Sequence, residues 1–268
     1  MNAHRSTPAP PADTSRPHRP GERARRGRGR RKPALWAGLA AAVVLLLAAG
    51  AALQGGTRAS EGPAGREEQE DEYSPDDSGI PSEGPGTFTV AGGGGERVGG
   101  KGRTLTYVVE VEDGIGLEAG DVAAEVDRIL ADERGWTAGG EVGFRRVTGD
   151  TSDFRVRLAT AATVDRMCGY YGLDTGGEVN CNVGQDVMVN LKRWLLATRY
   201  YADDVASYRA LIVNHEVGHF LGHGHEGCPG PGRPAPVMMQ QIKGLHGCTT
   251  NVWPYDDEGR RITGPPVA

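Results

Sequence analysis

The sequence lacks several features that would place it in well-known classes of protein. Its 268 residues contain no internal repeat and no C-x-x-C pair, so a closed structural zinc site built on cysteine is not expected. Residues 1–33 are rich in arginine but contain no aromatic side chain on which a nucleic-acid base could stack. We therefore expect no nucleic-acid partner.

Charge is absent from residues 34–53, and this gap divides the chain. Ten Arg and Lys residues precede it and an acidic stretch follows it. Its twenty residues are about enough to cross a membrane as a helix, and the basic run before them should stay in the cytoplasm. We expect a single-pass protein of the cell membrane with an extracellular domain; secretion after signal cleavage near residues 48–52 is the alternative. The predicted segments are a disordered basic cytoplasmic tail (1–33), a transmembrane anchor (34–53), an acidic linker rich in glycine and proline (54–103) and one folded domain (104–268).

Only four cysteines are present, and all of them lie in the predicted folded domain. An even number in an oxidising compartment suggests two disulfides, which could connect in three ways. The shortest loops join Cys168 to Cys181 and Cys228 to Cys248. No cysteine of the predicted linker is available to block a metal site.

Histidines cluster in the run His-Glu-Val-Gly-His-Phe-Leu-Gly-His-Gly-His, from position 215 to position 225. On a helix, His215 and His219 lie on one face and can bind one metal ion. Gly222 can adopt a positive φ, which ends the helix and lets His225 supply a third nitrogen. If the helix continued through Gly222, His223 would compete with His225 for that role.

Three protein ligands and one open position are typical of a catalytic zinc site. Glu216 follows the first histidine and projects beside the same site, where it can take a proton from a water molecule that the metal activates. The pattern therefore predicts Zn²⁺ as cofactor and Glu216 as general base.

The 215–225 motif resembles the signature of the metzincin clan of zinc metallopeptidases, whose members have a methionine-containing turn (the Met-turn) further along the chain. Pro236-Val237-Met238-Met239-Gln240 is similar to that turn, with Met238 beneath the metal. The resemblance implies an α+β, zincin-like fold: a twisted, mostly parallel sheet with an antiparallel edge strand, an active-site helix and a small C-terminal subdomain that carries the Met-turn. Gln240 stands where astacin-like members have a zinc-binding tyrosine, so a tyrosine ligand is not expected.

Hydrophobic periodicity and turn residues place the elements of the folded domain. The predicted elements are a strand at 104–111, a helix at 117–131, paired strands at 142–147 and 154–158, a second strand pair at 178–183 and 187–191, and a metal-bearing helix from Asp203 or Asp204 to Gly222.

The resemblance also implies a function. In zincins the edge strand before the active-site helix pairs with extended substrate, and residues 178–183 are the candidate by their order in the chain. The chain looks like the membrane-anchored zincin-like domains of high-GC Gram-positive bacteria. We expect a monomeric extracytoplasmic zinc peptidase that cleaves proteins or peptides; a hydrolase of cell-wall peptides and a non-catalytic zinc-binding module that recognises an envelope partner are the alternatives.

Overall fold

Six strands in one mixed sheet form the framework of the described part of the chain. The computed structural model describes residues 75–149 and 151–267. The strands are β1 (Phe88–Val90), β2 (Arg103–Glu112), β3 (Val142–Arg146), β4 (Phe154–Ala159), β5 (Cys181–Val183) and β6 (Asp186–Asn190). The helices are α1 (Ala119–Ala131), α2 (Ala161–Gly169), α3 (Leu191–Leu196) and α4 (Val205–Phe220). Short 3₁₀ turns cover Trp136–Gly139, Arg199–Tyr201 and Gln241–Lys243.

The sheet is mostly parallel, with an antiparallel strand at either end. The strand order is β1-β2-β4-β6-β5, and β3 pairs with the first half of β2. Strands β2, β3, β4 and β6 run parallel, whereas β1 and β5 run antiparallel to their neighbours. The described residues therefore form an α+β domain with a mixed, mostly parallel sheet, in agreement with the expected fold class.

The predicted pairing of residues 142–147 with 154–158 is wrong. Both segments form strands, but β3 and β4 each pair in parallel with β2 and not with one another. Alternation of apolar residues identifies a strand without identifying its partner, and the short polar connection suggested a hairpin. The second predicted pair is confirmed: β5 and β6 form a hairpin whose turn contains Gly184, with a φ of +59°.

Alternation along the strands divides the sheet into two faces. On one face, Val109, Val156 and Val189 enter the main core together with Val126 of α1 and Val213 of α4. Burying each such side chain stabilises the fold by roughly 1.5–3 kcal/mol. This packing holds α4 against β5 and β6 and beside α1.

The opposite face of the sheet is covered in part by α2. Val164 and Cys168 of α2 pack on Met188 of β6 and on Cys181 of the edge strand. The disulfides join Cys168 to Cys181 and Cys228 to Cys248, with Cα–Cα distances of 6.5 and 5.8 Å, so the two expected disulfides are present and have, of the three possible connectivities, the one with the shortest loops. Two disulfides favour an oxidising compartment.

Three elements have no counterpart in the sequence-based prediction. Strand β1 lies inside residues 54–103, which were predicted as a linker, and residues 54–74 of that segment lie outside the described residues. Three residues are too few for alternation to be recognised. Helices α2 and α3 are only nine and six residues long, so neither gives a clear 3.6-residue period.

The prediction of a membrane anchor has to be corrected. None of the helices in residues 75–149 and 151–267 combines the length and the apolar composition needed to cross a membrane. Residues 34–53, on which the prediction rested, and the predicted basic tail 1–33 lie outside the described residues. The single-pass anchor and the localisation in the cell membrane are therefore not retained.

Glu112, the last residue of β2, connects the segment before β1 to the start of α2. It is only 1% exposed, and its carboxylate accepts hydrogen bonds from the N–H groups of Gly86 and Thr160, each at 2.8 Å, and from the hydroxyl of Thr163 at 2.6 Å. Burial alone would raise the pKa of this carboxyl, but the hydrogen bonds from Thr163, Thr160 and Gly86 outweigh burial and lower the pKa below the ordinary 4.5. The fold therefore stabilises the ionised form.

Replacing Glu112 by glutamine should lower the free energy of unfolding by about 1–3 kcal/mol at neutral pH, because the amide places a further donor among four groups that already donate to this side chain: the N–H groups of Gly86 and Thr160 and the hydroxyls of Thr160 and Thr163. Since the folded-state pKa is lowered, the stabilisation by the carboxylate is present above pH 4.5 and is lost as the pH falls through the folded-state pKa. Denaturant unfolding of the full chain at about pH 7 and about pH 3 measures both effects. The control is Glu83→Gln, since Glu83 is an exposed glutamate of the same segment. An equal loss at the two pH values would contradict the prediction.

Candidate metal centre

Helix α4 carries the first two histidines of the centre. The helix begins after Asp204, whose carboxylate accepts a hydrogen bond from the N–H of Ser207 at 3.0 Å. His215 and His219 are four residues apart and therefore lie on one face, with their ring centroids 4.8 Å apart. That face turns toward an open cavity while the rest of the helix packs in the core.

Gly222 turns the chain back after α4. Its φ of +94° lies in the left-handed region that favours glycine. The N–H groups of Gly222 and His223 both donate to carbonyls of the last turn, those of His219 and Gly218, at 2.9 Å. The turn brings His225 back beside the helix.

The three histidines His215, His219 and His225 converge on one point. The Nε2 of His219 lies 3.2 Å from the Nε2 of His215 and 3.1 Å from that of His225. The outer nitrogens of two rings face backbone oxygens: Nδ1 of His215 is 2.8 Å from the carbonyl of Val237, and Nδ1 of His219 is 2.9 Å from that of His223. A proton on each Nδ1 leaves a lone pair on each Nε2. Lone pairs this close repel one another unless a cation is shared between them, so the arrangement fits a metal ion.

Burial keeps these rings neutral. Burial and then the neighbouring His219 lower the pKa of His215 to about 3. Burial is also the main cause that lowers the pKa of His219 and of His225. Neutral imidazole is the form that binds a metal.

Glu216 lies next to the histidines and lines the same cavity. It is 5% exposed, and burial raises the pKa of its carboxyl to about 8. A buried carboxyl beside a cluster of metal-ligating nitrogens is suited to exchange a proton with a molecule in the cavity.

His223 points away from the three-nitrogen cluster. Its ring stacks on Trp136 with centroids 4.5 Å apart, and its Nε2 is 3.3 Å from Nη1 of Arg261. The guanidinium carbon of Arg261 lies 4.7 Å from the centre of the Trp136 ring. The Trp136 Nε1–H donates to the carbonyl of Asn214 at 2.9 Å. His225, and not His223, is therefore brought to the two helical histidines.

Met238 is fully buried beneath α4. A Cβ added at Gly218 would overlap the sulfur of Met238 and the ring of Trp136, so the helix approaches both side chains as closely as glycine allows. The carbonyl of Met238 also accepts a hydrogen bond from the N–H of Glu226 at 3.1 Å. The turn around Met238 therefore contacts both α4, which carries two of the histidines, and the segment that carries the third.

A segment at residues 264–267, here named the strap, covers the outside of the third histidine. The N–H of Val267 donates to the carbonyl of His225 at 3.1 Å, and the N–H of Gly227 donates to the carbonyl of Pro265 at 2.7 Å. The carboxylate of Glu226 accepts the N–H of Gly264 at 2.9 Å and lies 3.5 Å from Arg261. The strap and Arg261 therefore hold the short segment that carries His225.

A cavity of about 380 Å³ opens beside the cluster. One wall is formed by residues 173–175 and 179–182, which include the start of β5. The floor is apolar and contains Leu211 and Ile212 of α4, and Met239 and Gln240 of the turn at 236–240 also line the cavity. A side chain could enter this cavity from a chain that lies along β5.

The sequence-predicted residues fall into two groups. His215, Glu216, His219 and His225 meet at the cavity, and Met238 lies beneath them, whereas the four cysteines form disulfides outside the cluster. Sequence reasoning missed Trp136, Arg261 and the strap, because each reaches the cluster over a long separation in the chain. A tryptophan at the start of a 3₁₀ turn and an arginine in a polar segment near the C-terminus have no local pattern that would have identified them.

The fold and the centre define an α+β domain with a three-histidine cluster suited to a metal ion. The chain belongs to the family described as "Protein of unknown function (DUF3152)", whose model matches residues 74–258, more than half of the chain. Comparison with the curated proteins and with the solved structures gave no match.

Replacing His225 by alanine should weaken Zn²⁺ binding by more than about 100-fold, because the loss of a ligand costs more than the 10- to 100-fold effect of supporting residues. His223→Ala should keep one Zn²⁺ per chain, since its ring faces Trp136. Competition of the full-length variants with a chromogenic chelator measures both affinities. Equal losses in the two variants would contradict the assignment of the third ligand.

Replacing Arg261 by alanine should weaken Zn²⁺ binding by about 10-fold. The change removes the contacts of the guanidinium with His223 and Glu226, which lie on either side of His225 in the chain. Arg260→Ala is the matched control, since the neighbouring Arg260 is exposed and pairs with Asp256 and Glu258 instead. The same chelator competition applies, and an unchanged affinity in Arg261→Ala would show that the arginine does not position the centre.

Proposed function

We propose that this chain is a zinc-dependent peptidase that resembles the metzincins and hydrolyses peptide bonds with Glu216 as general base. One observation carries the proposal: three neutral imidazoles converge beside a buried carboxyl in a cavity that borders an open sheet edge. A binding site for zinc alone would not need the carboxyl, and a structural zinc site would have a fourth protein ligand.

His215, His219 and His225 would hold the ion. Zinc bound by three imidazoles supplies Lewis acidity, which makes a water molecule more acidic and polarises a peptide carbonyl. The carbonyls of Val237 and His223 orient two of the imidazoles through Nδ1 and raise their basicity. These hydrogen bonds therefore fix the orientation of the two rings before an ion is bound.

Glu216 would move the protons. Its carboxylate accepts a proton from the attacking water and returns it to the nitrogen of the leaving amine. Burial raises the proton affinity of this carboxyl, so its carboxylate is a stronger base than an exposed one, and a cation held by the three histidines would favour the ionised form from which the reaction starts. Such transfer contributes about 10²- to 10⁴-fold to a rate.

Strand β5 would bind the substrate. It ends the sheet, and no strand of the described residues pairs with its outer edge. Unpaired N–H and C=O groups at an edge can add an extended peptide as a further strand, which then passes the three histidines. Side chains that point into the cavity would meet Leu211, Ile212 and Met239.

The same elements support a zincin-like fold for the domain. An antiparallel edge strand precedes a helix that carries two metal ligands, and a turn containing Met238 lies beneath that helix. Residues 239–267, the described part of the chain after Met238, contain a 3₁₀ turn and irregular segments but no longer helix or strand, which corresponds to a small C-terminal subdomain.

The zinc-loaded full chain should cleave members of an unbiased peptide library, and Glu216→Ala should reduce cleavage by about 10²- to 10⁴-fold. Mass spectrometry of the products gives both the rate and the residues around the cleaved bond. The zinc content of the two proteins must be equal, so that the difference reports the carboxyl and not the ion.

One other result would reject the peptidase, and a second would narrow its substrate class. If both proteins bind zinc and neither cleaves any peptide, the centre belongs to a non-catalytic binding module. If only cell-wall peptides are cleaved, the reaction holds but the substrate class narrows to the envelope.

A further inference from the structure

A short loop after α2 exposes apolar side chains that the core does not use. Among the described residues, the exposed large hydrophobic side chains are Val90, Tyr170, Tyr171, Leu173 and Val267. Three of these five belong to the loop 170–173, where Tyr170 is 86%, Tyr171 60% and Leu173 45% exposed. A contiguous exposed apolar patch usually marks a binding surface.

The loop is held in place, so the exposure is built into the fold. The N–H groups of Tyr171 and Leu173 donate to the carbonyl of Cys168 at 3.0 and 3.2 Å. Gly172 between them has a φ of +83°, which favours glycine. The disulfide from Cys168 to Cys181 links the end of α2, just before the loop, to strand β5. These constraints fix the backbone of the loop and therefore the positions from which its side chains project.

The loop continues the wall of the candidate active site. Leu173 itself lines the cavity, followed by Asp174 and Thr175. Tyr171 is two residues away and, since consecutive Cα atoms are about 3.8 Å apart, its Cα lies within about 8 Å of that of Leu173. Any chain that lies along β5 and enters the cavity therefore runs close to the loop.

We propose that Tyr171 and Leu173 form a specificity rim that contacts a large apolar side chain of a polypeptide substrate bound in extended form along β5. The inference rests on the proposed function, because it assumes that a peptide occupies the edge of β5. It adds to that function a substrate class: extended segments with an apolar or aromatic residue next to the one that enters the cavity.

The chemistry of the rim favours a peptide. Tyrosine presents a large, rigid and amphipathic surface at low entropic cost, as in other peptide-recognising surfaces. Alternate side chains of an added strand point to opposite sides, so one can enter the cavity while its neighbour meets the rim. A rigid rim also loses little conformational entropy on binding.

The test separates recognition from cleavage. The zinc-loaded full chain with Glu216→Ala binds peptides without cutting them, and it is compared with the same protein that also carries Tyr171→Ser and Leu173→Ser. Binding to an array of extended peptides should show a preference for a large apolar residue at one position in the first protein. The rim variant should bind those peptides about tenfold more weakly and bind their glycine-substituted versions equally well.

Val90→Ser is the matched control, because Val90 is 43% exposed, close to the 45% of Leu173, and lies on β1 at the opposite end of the sheet. It should leave the preference unchanged. An unchanged preference in the rim variant would overturn the proposal, as would binding of glycan strands in place of peptides.

The two proposals can fail separately. Cleavage by the wild-type chain together with an unaffected preference in the rim variant rejects the rim and keeps the peptidase. A preference that depends on the rim, without cleavage by the wild-type chain, rejects the peptidase and keeps the rim as a recognition surface.

Discussion

The candidate metal centre depends on helix α4, which packs into the core and also carries polar side chains that are largely shielded from solvent. Helix α4 packs Val213 and Val217 into the main core, yet its other face carries His215, Glu216 and His219. Charged forms of these groups are disfavoured by burial, which lowers the histidine pKa values and raises that of Glu216. The desolvation that the core imposes thus keeps the imidazoles ready to bind a metal and the carboxyl ready to hold a proton.

Backbone oxygens, more than side chains, fix the geometry around that helix. The carbonyls of Val237 and His223 face the outer nitrogens of two histidines, and the strap holds the carbonyl of His225. Each of these carbonyls belongs to an irregular segment whose course is set by a turn, such as the one at Gly222. Side chains then lock the segments together, as Arg261 does between Trp136 and Glu226.

The sequence predicted the features that neighbouring residues determine, and it failed for those that depend on residues far apart in the chain. The histidine motif, the turn at Gly222 just beyond α4 and the β5–β6 hairpin are determined locally, and the sequence predicted each of them where the structure has it. Pairing of β3 and β4 with β2 is non-local, and it was predicted wrongly because alternation does not name a partner. Arg261 and the strap approach His225 from distant parts of the chain and were not foreseen.

Both disulfides lie outside the main core. One links Cys168, near the end of α2, to Cys181 of β5, and the other joins Cys228, just after His225, to Cys248, which lies beyond the turn at Met238. The main core is held by apolar packing, and the disulfides lie in two smaller buried clusters beside it. Each of these disulfides closes a short loop, and such a link stabilises the fold by on the order of 3 kcal/mol because it restricts the unfolded chain. These links therefore hold the end of α2 to β5 and the segment just after His225 to the chain beyond Met238, and such preorganisation reduces the ordering cost of binding a ligand.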